Sequence, residues 1–429
     1  VKQSTLVRSL LAVPFLLTVL SARAVADNWP QWRGPHNDGI SSEKNIPAEW
    51  SDTKNLAWKV PMPGIGSSTP AVWGDRIFLT SADGGDLVLL CVSTAGKELW
   101  KRKLGSGVKK EGPRDEANNA SASPSTDGKH VWALVGTGEF ACFDLEGKEV
   151  WRFNAQERYG KFRTQWGTHT SPLLYKDRLF LQLLHSGAQW VIALDKATGQ
   201  EVWKINRPSD GRAECHDSYA SPSVWDNGKD AYLVVHGNDY TTAHDLKDGS
   251  EIWRLGDLNP PTPKQRYNTT LRLVSSPLTT PDLVVVPTAK KGVVVGLKPE
   301  AKGLVHAGSE YEQWRLPDGT PDVPSPLLHD GLVYLCGENG ELKVLDAKSG
   351  QVAYAQQLHR SRYRASPVYA DGKIYLTARD GTVTVVKPGR KFEELATNNL
   401  KEDITASPVV SNGRIYLRGW SNLYAIGQK

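Results

Sequence analysis

The stretch ALDKATGQEVW, residues 193–203, decides how this chain folds. A strand runs out through Ala193 and Asp195, the chain turns at Thr198 and Gly199, and a second strand closes on Trp203. Partial copies stand at DLEGKEVW (144–151) and DLKDGSEIW (245–253). A hairpin this small cannot bury either of its faces, so its recurrence points to stacked units that cover one another.

Working outward, each copy is preceded by a Ser/Thr-Pro pair, a strand, a turn and another strand. The pattern recurs as STPAVWGDRIFLT (68–80), SPSTDGKHVWALV (123–135), SPLLYKDRLFLQL (171–183), SPSVWDNGKDAYLVV (221–235), SPLTTPDLVVVP (276–287), SPLLHDGLVYLC (325–336), SPVYADGKIYLT (366–377) and SPVVSNGRIYLR (407–418). The prolines at 70, 124, 172, 222, 277, 326, 367 and 408 lie 41 to 55 residues apart, the length of one four-stranded sheet. Fourth strands close on Trp100, Trp151, Trp203, Trp253 or Trp314, with Tyr354 as a substitute and no aromatic in the seventh copy. The eighth copy stops after its third strand, near Asn422–Gly427, and NLAWKV (55–60), around Trp58, resembles the missing fourth. The expected fold is all-β, an eight-bladed β-propeller of four-stranded antiparallel blades over residues 55–429. The N-terminal strand closes the last blade and leaves no long free edge.

The tryptophans are then packing elements. An indole burying roughly 200 Å² contributes about 5 kcal/mol as an upper estimate, and a broad rigid ring suits the gap between radial sheets. Trp58, Trp100, Trp151, Trp203, Trp253 and Trp314 are assigned this docking role. The small residue in the Ala193 slot is expected to leave room for the indole of an adjacent blade. Cys91 and Cys142 occupy the same slot, which makes them core residues rather than a disulfide.

Composition agrees with short strands and turns: 39 Gly, 26 Pro and 15 Trp against one Met. The formal charge of +5 is spread thinly, which argues against a nucleic-acid partner. Residues 1–26 have the layout of a secretory signal peptide: Lys2 and Arg8, an apolar run over Leu10–Leu20, and Ala24-Val25-Ala26 before a cleavage point. That run is too short to span a bilayer, so the mature chain is expected to be periplasmic or secreted, without a transmembrane segment. Residues 27–54 form a lead-in, and a monomer is expected.

Ala193, Asp195, Thr198, Gly199 and Trp203 match A-x-D-x-x-T-G-x-x-x-W in full; Asp245, Gly249 and Trp253, and Asp346, Ser349 and Gly350, match in part. The pattern is similar to the tryptophan-docking repeat of pyrroloquinoline-quinone (PQQ)-like propellers and covers residues 55–427. The opening NWPQWRGPHNDGIS (28–41) resembles secreted bacterial members, planctomycete ones especially. The family includes quinone-dependent dehydrogenases and the lipoprotein of outer-membrane β-barrel assembly. An eight-bladed dehydrogenase of this type implies a quinone held between a tryptophan and a disulfide of adjacent cysteines, with Ca²⁺ and an aspartate nearby. Here the cysteines stand at 91, 142, 215 and 336, and none are adjacent. The resemblance therefore favours the non-enzymatic assembly type. No cofactor is expected; PQQ with Ca²⁺ belongs only to the alternative reading.

Candidate ligand residues lie in the loops before each Ser/Thr-Pro and after each second strand, where unusual polar residues concentrate. His169, His185, His216 and His236, with Asp217 and Asp239, fall on one face of two neighbouring blades. They have the donor chemistry of a zinc or copper site, but their spacing matches no recognised ligand motif and no metal is assigned. Arg360, Arg362 and Arg364 alternate, as if along one side of a strand. With Arg266, Arg272, Tyr267 and Tyr363 they suggest a basic, aromatic-lined funnel for an anionic or sugar-like ligand. Trp166, outside the docking positions, is the candidate stacking surface. No G-x-S-x-G, H-E-x-x-H or Walker sequence is present, and no catalytic residue is assigned. The expected role is a binding or assembly scaffold in the cell envelope, with an envelope protein or glycan as partner. The alternatives are a quinone-dependent alcohol or sugar dehydrogenase, or a carbohydrate-binding or carbohydrate-cleaving propeller.

Overall fold

A computed structural model describes residues 27–107, 110–111, 117–260 and 266–428. The proposed signal peptide lies outside the described residues. Eight sheets follow one another around an axis, each running from an inner to an outer strand. Blade 3 is representative, with strands Leu173–Tyr175, Arg178–His185, Ala188–Asp195 and Glu201–Asn206. Blade 8 takes its outer strand from Leu56–Pro61, which pairs antiparallel with Asn422–Gly427 and joins the chain's two ends in one sheet. Two blades gain a fifth, parallel strand: Ile40–Ser41 on the inner edge of blade 7, and Gly303–Val305 on the outer edge of blade 4.

The docking indoles do fill the space between blades, but the small residue works differently from the expectation. Ala193 pairs with Trp203 of its own blade, as Cys91 does with Trp100 and Cys142 with Trp151. The cross-strand neighbour must be small because the indole lies over it. A Cβ built on Gly296 would come within 2.2 Å of Trp314. Each indole then reaches the third turn of the next blade. Trp151 donates its Nε1–H to the Lys196 carbonyl at 3.0 Å and packs on Gly199, where a Cβ would lie 2.8 Å from the ring. Gly199 also has φ +69°, so two constraints fix glycine there. Trp58, Trp100, Trp203 and Trp314 repeat the bond to Thr94, Leu145, Leu246 and Ala347. Trp253 is the exception. Blade 5 lacks a tight third turn, and Gly303–Val305 runs from that longer connection to cover Trp253 instead.

At the axis the eight Ser/Thr-Pro pairs close a ring. The N–H of Thr69 donates to Ser123 Oγ, Ser123 to Ser171, Ser171 to Ser221 and Ser221 to Ser276, each at 2.9 Å. Ser276 continues to Ser325 and Ser325 to Ser366 at 2.9 Å, Ser366 to Ser407 at 3.0 Å, and Ser407 to Thr69 Oγ1 at 3.1 Å. The proline fixes the backbone after each hydroxyl and has no N–H of its own to place. Every blade is thereby bonded to the next by the same buried contact.

Three buried arginines tie segments together through backbone carbonyls rather than carboxylates. Arg207 bonds Gly237 and Tyr240 of blade 4, and Arg418 of blade 8 bonds Gly64 before blade 1. Arg33, in the lead-in, bonds Pro326 and Pro367. Burial pulls Arg207 and Arg418 down to about 9 and Arg33 to about 10. Glycine at 39 lets Arg33 lie flat, because a Cβ there would sit 2.7 Å from the guanidinium.

The sheets also swallow three imidazoles. His185, His236 and His244 are buried, with His236 bonded to Thr241 at 2.7 Å and His244 to Thr242 at 2.8 Å. Burial lowers them to about 4, 3 and 4. All three are therefore neutral in the folded protein at pH 7, whereas in the unfolded chain they take up protons near pH 6.5.

Two outcomes are expected. Ser221→Ala strands the buried Ser171 N–H and should lower stability by about 1–3 kcal/mol, while Ser221→Thr, which keeps the oxygen as Thr69 does, should cost much less; urea midpoints of the two variants check this. Between pH 6.5 and about 4 the unfolded chain binds more protons at the buried histidines than the folded one, so stability should fall with acidification across that window. Replacing His236 by Gln should flatten the slope of urea midpoint against pH.

Candidate functional site: a blind axial cup

The ring of blades encloses an axial cavity of about 630 Å³. One end is closed by the lead-in. Trp29 bridges to Val72 of blade 1, Pro30 accepts from Thr126 of blade 2, and Gln31 Oε1 accepts from Leu174 N–H of blade 3 at 2.9 Å. Two residues on, Arg33 bonds the carbonyls of Pro326 and Pro367 in blades 6 and 7, across the ring. Trp32, between them, lies at the axis, and its half-buried side chain lines the cavity as a floor. The wall is the ring of eight hydroxyls, all of which line the cavity. The other end opens between the loops.

One side of that mouth is aromatic. Tyr219 OH accepts from Trp166 N–H at 3.3 Å and donates to Asp217 Oδ2 at 3.2 Å, and Gln165 N–H donates to the same oxygen at 2.9 Å. Asp217 thus holds the Trp166 loop in place from behind. Burial keeps its carboxyl above the usual range, against those two donors. His169 donates Nε2–H to the Trp166 carbonyl at 2.6 Å and packs against Tyr219, and burial lowers its pKa. Arg272 covers one face of Trp166, 5.4 Å from the ring, while its Nη1 lies 2.8 Å from Glu214.

The opposite side is charged. Glu338 of blade 6 lies 3.4 Å from Arg362 and 3.3 Å from Arg364, which reach in from the loop before blade 7. Burial pushes the Glu338 carboxyl up; Arg364 opposes that, and the neighbouring Asp322 adds to it. Lys290, exposed, completes the rim from blade 5.

Of the residues singled out from sequence, Trp166, His169, Arg362 and Arg364 meet in the cavity, as does Arg272, and Asp217 supports them. The others do not. His185 and His236 are core residues, as described above. His216 is half-buried outside the cavity, with a buried Nδ1 that has no partner among the described residues. Asp239 accepts from Tyr267 OH and from Asn259, a polar cluster beside Cys215. Arg266 is exposed beyond the rim. Tyr363 is fully buried between blades 6 and 7 because it alternates with the two arginines and so points the other way. Arg360 falls in a bend, so the alternation begins only at Arg362. Among the described residues no group of three His, Cys, Asp or Glu is arranged to hold a metal ion.

Trp32, Lys290, Asp322, Glu338 and the ring hydroxyls were not singled out from sequence. The ring was readable in part, since a hydroxyl stands before proline in all eight copies. Trp32 was not, because only the crossing of the lead-in brings it to the axis.

Comparison with known proteins places this architecture. A family model described as outer membrane protein assembly factor BamB matches residues 46–253, 136–301 and 301–391. BamB from Moraxella catarrhalis superposes with a TM-score of 0.62 at 13% identity, covering 87% of this chain and 97% of that one. A europium-containing methanol dehydrogenase gives 0.70 at 13%, covering 92% and 90%, and the quinohemoprotein alcohol dehydrogenase from Comamonas testosteroni gives 0.68 at 14%, covering 94% and 81%. At such identities the structures speak for the fold alone. No protein of curated function matches the sequence. The match over most of the chain, on eight blades of which six carry a docking tryptophan, makes this protein a member of the PQQ-like β-propeller family.

Proposed function

We propose that this chain is an exported, non-catalytic propeller that acts as a binding and assembly scaffold in the cell envelope, presenting the rim of its axial cup to a protein or glycan partner. The observation that carries the reading is that the polar groups of the mouth are bonded to one another. Glu338 faces two arginines, Arg272 faces Glu214, His169 is bonded to a carbonyl, and Asp217 has two donors. A mouth fixed in this way is preorganised for recognition, which lowers the entropy lost on binding. The family match supports the assembly side of the reading. The leader-like N-terminus supports export, and no helix among the described residues is long and apolar enough to cross a membrane.

A quinone stacked in the manner of the dehydrogenases does not fit the residues present. All four cysteines are buried single thiols and none lines the cavity, so the disulfide wall is missing. Of the two indoles in the cavity lining, Trp166 already has Arg272 on one face and Trp32, at the floor, has no disulfide to face it.

The mature protein mixed with PQQ and Ca²⁺ should acquire no bound chromophore and reduce no dye with alcohols or sugars; turnover would sink the scaffold reading. Photo-crosslinking in cells from position 290 at the rim should yield adducts that position 177, in the first turn of blade 3 on the opposite face, does not. Equal labelling from both positions would place the interaction elsewhere.

A further inference from the structure

Resting on the scaffold reading, we infer that the axial cup is a binding site for a neutral, polyhydroxylated ligand, a sugar ring seated on Trp32 and surrounded by the eight hydroxyls of the Ser/Thr-Pro pairs.

The wall carries the argument. Each ring hydroxyl uses one oxygen lone pair to accept the N–H of the preceding blade. None donates its own proton to an acceptor among the described residues, although all eight line the cavity. A hydroxyl has one donor and two acceptor positions, so each keeps one of both kinds. Ser366 is 2% exposed, and Ser171 and Ser221, the most open of the ring, 7%, so those positions can be met only from within the cup.

The charge of the ligand follows from the same inventory. An anion would take up the protons and leave the lone pairs facing it, and a cation would do the reverse. An apolar ligand would strand both kinds, at about 1–3 kcal/mol for each buried group left without its bond. A ligand with hydroxyls of its own satisfies both. The mouth adds no preference of sign, because its arginines are engaged. Arg362 and Arg364 lie against Glu338 and have further partners, and Arg272 is paired with Glu214. The neutral wall therefore sets the chemistry of the ligand.

The floor adds the second requirement. Trp32 is held at the axis by its neighbours Gln31 and Arg33, and the indole remains half-buried with a surface in the cavity. A flat π surface ringed by hydroxyls suits a sugar, which presents an apolar C–H face and a polar rim together. An acyclic polyol has the rim without the face. The volume of about 630 Å³ lies in the range of small-molecule sites, roughly 300–1,000 Å³. Because the lead-in closes the far end, the ligand must enter from the loop face, either as a free sugar or as the end of a glycan chain.

The test is titration of the mature protein with methyl glucoside, methyl mannoside, cellotriose, mannotriose, galacturonate trimer and cyclohexanol, followed by calorimetry and tryptophan fluorescence. At least one neutral sugar should bind and change the fluorescence. A trisaccharide that binds more tightly than its single-ring glycoside identifies a glycan end reaching out through the mouth; equal affinity identifies a free sugar. Trp32→Ala should weaken the binding by about tenfold or more. If Trp32→Ala does not fold, Trp32→Phe, which keeps a flat ring, should still bind by calorimetry while losing the fluorescence response. A response that survives in Trp32→Phe would place the ligand away from the floor and overturn the inference. Tighter binding of the galacturonate trimer would overturn the neutral assignment, and equal binding of cyclohexanol would overturn the role of the hydroxyl wall. Absence of binding by every neutral sugar, with rim crosslinks still seen in cells, would remove this inference and leave the scaffold reading standing. Dye reduction with bound sugar would remove the scaffold reading instead.

Discussion

The contact on which the rest of this structure depends is the hydrogen bond from the backbone N–H of one blade's serine to the hydroxyl of the next. It occurs eight times and closes on itself at Thr69. Each bond replaces water that a buried N–H would otherwise need, so breaking one leaves an unsatisfied donor at the axis. The same link joins every pair of neighbouring blades, at 2.9 to 3.1 Å. The space left inside is fixed by their number rather than by any single side chain.

The outer shell works by a different interaction. Away from the axis the blades diverge, and a hydroxyl can no longer reach its neighbour. There the docking indole spans the gap, lying over a small residue of its own strand pair and donating to a carbonyl of the next blade. Where blade 5 lacks the tight turn, Trp253 loses that acceptor and an added strand covers it. Inner ring and outer indoles thus share one task at two radii. Arg207 and Arg418 reinforce two of the junctions through carbonyls, although burial disfavours their charge.

The cup follows from this framework together with one segment that is not part of the repeat. Without the lead-in the axis would be an open channel. With Gln31 bonded to one side of the ring and Arg33 to the other, it becomes a chamber with an indole floor. The mouth is asymmetric because the loops before blades 3, 4, 5 and 7 and around blade 6 differ in length and content, which separates an aromatic side from a charged side.

The sequence alone determined the number of blades, the closure by Trp58's strand and the docking role of most tryptophans, because a periodic contact leaves a periodic trace. It also marked the loops that carry Trp166, His169, Arg362 and Arg364. Tertiary structure alone decided which marked residues meet. His236 and Tyr363 lie in those same loops and strands but point into the core, since side chains along a strand alternate between opposite faces and the register is set by pairing. It alone brought Trp32 to the axis and set Glu338 between two arginines. Those placements join segments some 300 residues apart, or different blades, and no local spacing encodes a contact whose partners are brought together only when the ring closes.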